Sequence, residues 1–217
     1  MAWALGSSVT AETGSSPAVL PPMLRRRVTP LGQMAFRTAC KLSVPERARF
    51  IFCSRHGEFQ RTLGILTALA TGAAVSPAEF SLSVHNALAG LLSIAWRNTA
   101  GHTTIAAGAD SFRSALIEAA SCLMEYPEEP VLLVYCDDRL PQPYDELADS
   151  DETGFAIAML LTSPRHDFND VILELTPRNA AAESASGQAL AFLRFLLSDR
   201  NEERSDNEHL RWRWRNA

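Results

Sequence analysis

Lysine is almost missing from this chain. Lys41 is the only one among 20 basic side chains, and the remainder are arginine, the better residue for carboxylates and phosphates at interfaces. Acidic residues outnumber basic ones to give a net charge of -5, which argues against a polyanionic nucleic acid as the main partner. No apolar run approaches the ~20 residues that span a bilayer, so no membrane-spanning helix is predicted. The N-terminus MAWALGSSVTAETGSS has neither a basic leader nor a long apolar stretch; it predicts a strand and a loop rather than a signal peptide, and a cytoplasmic protein. The four cysteines, Cys40, Cys53, Cys122 and Cys136, form no CxxC pair and sit among apolar or small residues. That pattern predicts buried thiols in a reducing compartment and no disulfide or zinc framework. There is no G-x-G-x-x-G after a strand and no Walker sequence, so no nucleotide cofactor is expected. The run VYCDD does put two acids at a strand end, where they are expected to cap the next turn. His56, His85 and His102 lack helical i, i+4 partners, so no metal site is expected either.

What remains is a chain of 217 residues with 47% apolar content, enough for one full core. Thr29 followed by Pro30 predicts the cap and first turn of a helix reaching Lys41. Residues 48–54 (ARFIFCS) read as a strand, 58–71 as a helix closed by Gly72, and 80–83 as extended. Residues 86–96 form a small-residue helix expected to be buried. Residues 130–136 (PVLLVYC) read as a strand covered on both faces. Residues 155–162 and 171–175 read as two further strands, with 163–170 long for a hairpin loop between them. A helix is expected over 188–197, and 180–186 as a low-complexity loop. Strands alternating with helices up to about residue 136 predict an α/β domain with a mixed sheet. The domain is expected to occupy 1–200, with 201–217 as a charged tail. In that tail, Trp212 and Trp214 face one way if the chain is extended, and Arg211, Arg213 and Arg215 the other. Partner docking and folding back onto the domain both fit this pattern.

The stretch HTTIAAGADSFRSALIEAA (102–120) carries the most information. It reads as a buried strand, a turn of small residues, and a helix opening at Asp110 or Ser111. Enzymes of acyl transfer present a nucleophile at such an elbow, because the turn exposes the side chain and the helix N-terminus stabilises its anion. Here the elbow holds no cysteine, and Ser111 reads as a cap. The architecture of an acyl-transfer site is present without its reactive atom.

The blocks LPPMLRRRVTPLGQMA (20–35), FIFCSRHGEFQRTLGIL (50–66), SPAEFSLSVHNALAGLLSI (76–94) and PVLLVYCDDRLP (130–141) resemble the short beta-ketoacyl-synthase-like proteins. These are chain-length-factor-like subunits of aryl polyene and type II polyketide biosynthesis. SRHGE and FSLSVHNA are the specific part. The resemblance implies the N-terminal half of a thiolase-like fold, three α/β/α layers around a five-stranded mixed sheet. Complete condensing enzymes duplicate this half, taking a cysteine from the first copy and two histidines, or His and Asn, from the second. Matching the elbow puts the missing nucleophile near Gly108 or Ala109, neither of which can be acylated. The resemblance thus implies a subunit without independent activity, heterodimeric with a complete beta-ketoacyl synthase and reaching acyl carrier protein through that complex. It further implies that His102, Thr103, Thr104, Ile105, Ala106 and Ala107 pair across the interface, with Asn86 and Gly90 alongside. An uncharged Thr/Ile strand left as an edge would invite another chain. For Arg25, Arg26 and Arg27, contact with an acidic carrier protein and a solvated surface cluster are both open.

A competing reading is a stand-alone serine hydrolase or acyltransferase. It would use Ser54 or Ser83 as nucleophile, His56 or His85 as base, and Glu58 or Asp137 as orienter. Both serines also precede expected helix starts and read as caps.

Overall fold

The computed structural model describes residues 2–7, 21–147, 154–163, 170–177, 187–198, 200–206 and 210–216. The order is β1 (Ala2–Ser7), α1 (Pro22–Arg25), α2 (Pro30–Ala39), β2 (Arg49–Cys53), α3 (Phe59–Ala70), α4 (Pro77–Leu82), α5 (Ala87–Trp96), β3 (His102–Ile105), α6 (Ser111–Glu125), β4 (Val131–Asp137), β5 (Phe155–Thr162), β6 (Asp170–Pro177), α7 (Gln188–Leu196), β7 (Glu202–Asp206) and β8 (Leu210–Asn216).

The strands join in one sheet, ordered β3-β2-β4-β5-β1-β6-β8-β7, so eight strands stand where five were expected. β2 lies parallel to β3 and β4, and the other pairs are antiparallel. Strand periodicity divides the core. Phe50 and Phe52 of β2, with Leu132, Val134 and Cys136 of β4, pack on α2 and α5, whereas Ile51, Cys53, Val131 and Leu133 face α6 and α7. The three layers therefore follow from the unbroken apolar runs 50–53 of β2 and 131–136 of β4, which put hydrophobic side chains on both faces.

Helix starts follow local rules. Thr29 caps α2 by accepting the Gly32 N–H, and Pro30 fills the first turn. The segment 80–83, expected to be extended, lies in and just after α4. Ser76 accepts the Glu79 N–H there, with Pro77 in the first turn, and this capping signal outweighs the local strand-like pattern. Strands β5 and β6 do not form a hairpin, because β1 lies between them. Residues 164–169 between them fall outside the described residues, as does the low-complexity stretch 180–186.

The expected charged tail supplies β7 and β8. Trp212 and Trp214 are buried against Phe192 and Phe195 of α7 and the rest of that core, so the tryptophans cover their own domain. On the opposite face of this extension, Arg213 and Arg215 pair with Glu174, and Arg213 also with Glu202.

Candidate functional site

β3 leads into the elbow. After Ile105 the chain turns through Ala106 and Ala107, and Gly108 takes the left-handed conformation at φ 57°. A tight 3-10 turn, Gly108–Asp110, then opens α6. The Ser111 hydroxyl donates to the Gly108 carbonyl at 2.7 Å and accepts the Ala107 N–H at 2.9 Å. Ser111 is buried, and its oxygen is engaged in closing the turn. Gly108 and Ala109 are exposed, and neither carries a group that could attack a thioester.

β3 is an edge strand, bonded only to β2, in a register running from Phe50–His102 to Cys53–Ile105. His102, Ala106 and Ala107 are exposed, while Thr103, Thr104 and Ile105 are half-buried. The Thr104 hydroxyl is buried without a hydrogen-bond partner among the described residues. The far edge, β7, reads EERSD and carries charge at four of its five positions, the usual way of blocking strand addition.

A row of three helices leads away from this open edge. α3 touches α4, α4 touches α5, and α5 touches β3. α5 buries Leu88, Ala89, Leu91 and Leu92, yet leaves Ile94 66% exposed. A Cβ built at Gly90 meets nothing within 4 Å, so no backbone of the described residues approaches the small-residue face there. Asn86 stands at the α5 N-cap, exposed, with no side-chain cap bond. α3 has no buried residue at all; Leu69 is 61% and Phe80 of α4 63% exposed, with Leu66 and Val84 exposed beside them in sequence. Sequence periodicity gave the α3 helix but did not single out these exposed residues. The signal available was an amphipathic helix, which says that a face is to be covered but not by what.

The polar residues form a clasp. Ser54 Oγ donates to Asp137 Oδ1 at 2.7 Å and accepts the Gly57 N–H at 2.6 Å. The same carboxylate accepts the N–H groups of Arg55 at 2.8 Å and His56 at 3.0 Å. Asp137 thereby ties the end of β4 to the turn after β2. Gly57, at φ 59°, is hemmed by His85, whose ring would stand 3.0 Å from a Cβ placed there. Ser54 is thus bonded directly to the acid with no imidazole between, an order unlike that of a nucleophile activated by histidine. Ser83 Oγ donates to the Phe80 carbonyl at 2.9 Å, as a cap. His56 lines a cavity of about 260 Å³ with Thr29, Glu58, Asp138 and Arg139. Asp138 Oδ1 accepts the Arg139 N–H at 2.8 Å, the turn-capping role expected of the strand-end acids. Burial pushes the Glu58 carboxyl above its ordinary value, opposed by the Thr29 hydroxyl and Arg61. Burial and the nearby Asp137 charge push the Cys53 and Cys136 thiols up, away from the reactive thiolate. None of the four cysteines forms a disulfide; Cys53 and Cys136 are buried as expected, whereas Cys40 and Cys122 are half-buried. Among the described residues, no group of three His, Cys, Asp or Glu is placed to hold a metal, and no helix is long and apolar enough to cross a membrane.

Comparison with known proteins gives a consistent answer. A ketosynthase (ApeO) in complex with its chain length factor (ApeC) from Xenorhabdus doucetiae matches with TM-score 0.76 and 25% identity, over 99% of this chain and 97% of the matched one. The ishigamide ketosynthase/chain length factor matches with TM-score 0.59 and 13% identity over 76% of this chain, and a beta-ketoacyl synthase from Burkholderia phymatum with 0.58 and 14% over 83%. This chain spans only 54% and 55% of those two, which are similar to it in fold alone. No curated protein matches. The family model for the beta-ketoacyl synthase N-terminal domain matches residues 2–215, running through the C-terminal hairpin. With a thiolase-like α/β sheet, a strand-to-elbow-to-helix unit and that match over nearly its whole length, the chain belongs to the beta-ketoacyl synthase N-terminal domain family.

Proposed function

We propose that this chain is a non-catalytic, chain-length-factor-like partner that pairs with a complete beta-ketoacyl synthase in fatty-acid-like or aryl polyene biosynthesis. The observation that carries the reading is the elbow without a nucleophile, standing on the one uncharged edge of the sheet. The acyl cysteine and the carrier-protein substrates belong to the partner, and acyl carrier protein is met through the complex. The exposed Arg25 and Arg26 are available to an acidic carrier surface. The β3 edge, including the Thr104 hydroxyl, and the apolar α3–α5 face supply the docking surface. Extension of the sheet across the interface satisfies the open backbone groups of β3, and helix packing covers the apolar side chains. A permanent contact of this kind buries more than ~2,000 Å² and is largely apolar.

Ile105→Asp tests this directly. A carboxylate on the pairing strand loses its water on docking and meets no cation among residues 102–108. Ile105 is half-buried against the α6-side core, so a thermal melt of the free variant accompanies the expected loss of co-purification with the co-expressed ketosynthase. An intact complex would count against the β3 interface.

A further inference from the structure

A buried arginine braces the elbow from within. Arg113, in the first turn of α6, has a side chain wholly excluded from solvent. Its Nη1 donates to Asp110 Oδ1 at 2.9 Å, and its Nη2 to the Ser205 hydroxyl at 2.5 Å. Its guanidinium carbon lies 5.1 Å from the Trp212 ring centroid. Gln188, opening α7, donates its amide to the same Asp110 oxygen at 3.1 Å. One carboxylate at the elbow is therefore gripped by α6 and α7, and α6 is gripped in turn by β7 and β8.

Stability is a weak reason for such a cluster. Desolvation of a guanidinium is costly and pulls the Arg113 pKa down against the pull of Asp110 and Asp206, and apolar residues of similar volume often serve a core equally well. A planar fork offers direction instead. It fixes two acceptors at set angles, and here one is Asp110, a turn away, and the other Ser205, 92 residues on from Arg113. We propose that Arg113 is a positioning residue through which the C-terminal hairpin, 202–216, sets the conformation of the elbow at 106–111. This deepens the interface reading and rests on it for its consequence, since the docking surface would be complete only when the last two strands are in place.

Hydrogen exchange of the isolated chain, read by mass spectrometry, tests the proposal without any partner. Ser205→Ala and Gln188→Ala each lie far from the elbow in sequence. Each is expected to speed exchange of the Ala107 and Asp110 amides about tenfold, while the amides of β4 keep wild-type protection. Arg113→Lys keeps the charge but replaces the fork with a point donor, and is expected to loosen the elbow likewise. Should Arg113→Lys fail to fold, the two milder variants still decide. Unchanged elbow exchange in both, or an equal rise in β4, would overturn the positioning role. Because this readout needs no ketosynthase, it stays interpretable if the partner assignment itself fails.

Discussion

Glu58 shows how single residues set the behaviour of this protein. Its carboxyl is buried, accepts the Thr29 hydroxyl at 2.8 Å and pairs with Arg61 at 3.0 Å. Burial outweighs both partners and holds its pKa above the unfolded value of about 4.3. The folded state then keeps a proton that the unfolded chain has already released. Its contribution to stability is therefore greatest in acid, declines as pH rises from the unfolded towards the folded pKa, and is flat beyond. Glu58→Gln is expected to remove that decline. The check is the difference between wild-type and variant urea midpoints from pH 4 to 7; a difference that does not vary with pH would contradict the burial argument. Caps were the most legible features at this scale. Thr29 with Pro30 could be read directly, because a cap acts within one turn. The Ser54–Asp137 clasp could not, since its partners lie 83 positions apart and only the pairing of β2 with β4 brings them together.

Among the elements, the two sheet edges differ in a way that matters for association. β7 carries charge at four of its positions, whereas β3, reading HTTI, carries no Asp, Glu, Lys or Arg. The apolar helices lead away from the open edge in a row. Leu69→Lys and Phe80→Lys replace side chains already in water, so each is expected to change the stability of the isolated chain by no more than about 0.5 kcal/mol. In the complex the same ammonium groups would have to be desolvated against an apolar surface, weakening association at least about tenfold. Titration of a labelled ketosynthase, alongside thermal melts of the free chain, separates the two effects. An unchanged affinity would remove α3 and α4 from the docking surface. The period of α3 was visible in Phe59, Leu63, Leu66 and Leu69. Its destination was not, because an amphipathic stripe looks the same whether its cover lies in the same chain or another.

For the whole molecule, an uncovered apolar face and an open edge predict dependence on company. Expressed alone, the chain is expected to aggregate or elute as a broad oligomer in size-exclusion chromatography. Co-expressed with its ketosynthase, it is expected to elute as one heterodimer. A well-behaved monomer that hydrolyses acyl thioesters would overturn both the partner role and the absence of chemistry. The largest departure from expectation also belongs here. Residues 201–217 read as a charged tail, with eight charged side chains, for which partner docking and folding back were both open; β8 lays Trp212 and Trp214 into the core and its arginines onto Glu174 and Glu202.

The α/β class, the cap at Thr29 and Pro30, the strands covered on both faces and an elbow without cysteine were all legible in the amino-acid order. All of these depend on residue identity and on spacings within a few positions. It took the folded chain to place β1 between β5 and β6, to bring the tryptophan strand into the core, and to join the elbow to the hairpin through Arg113. Those outcomes depend on which strands become neighbours, and the alternation of side chains along one strand does not specify the strand beside it.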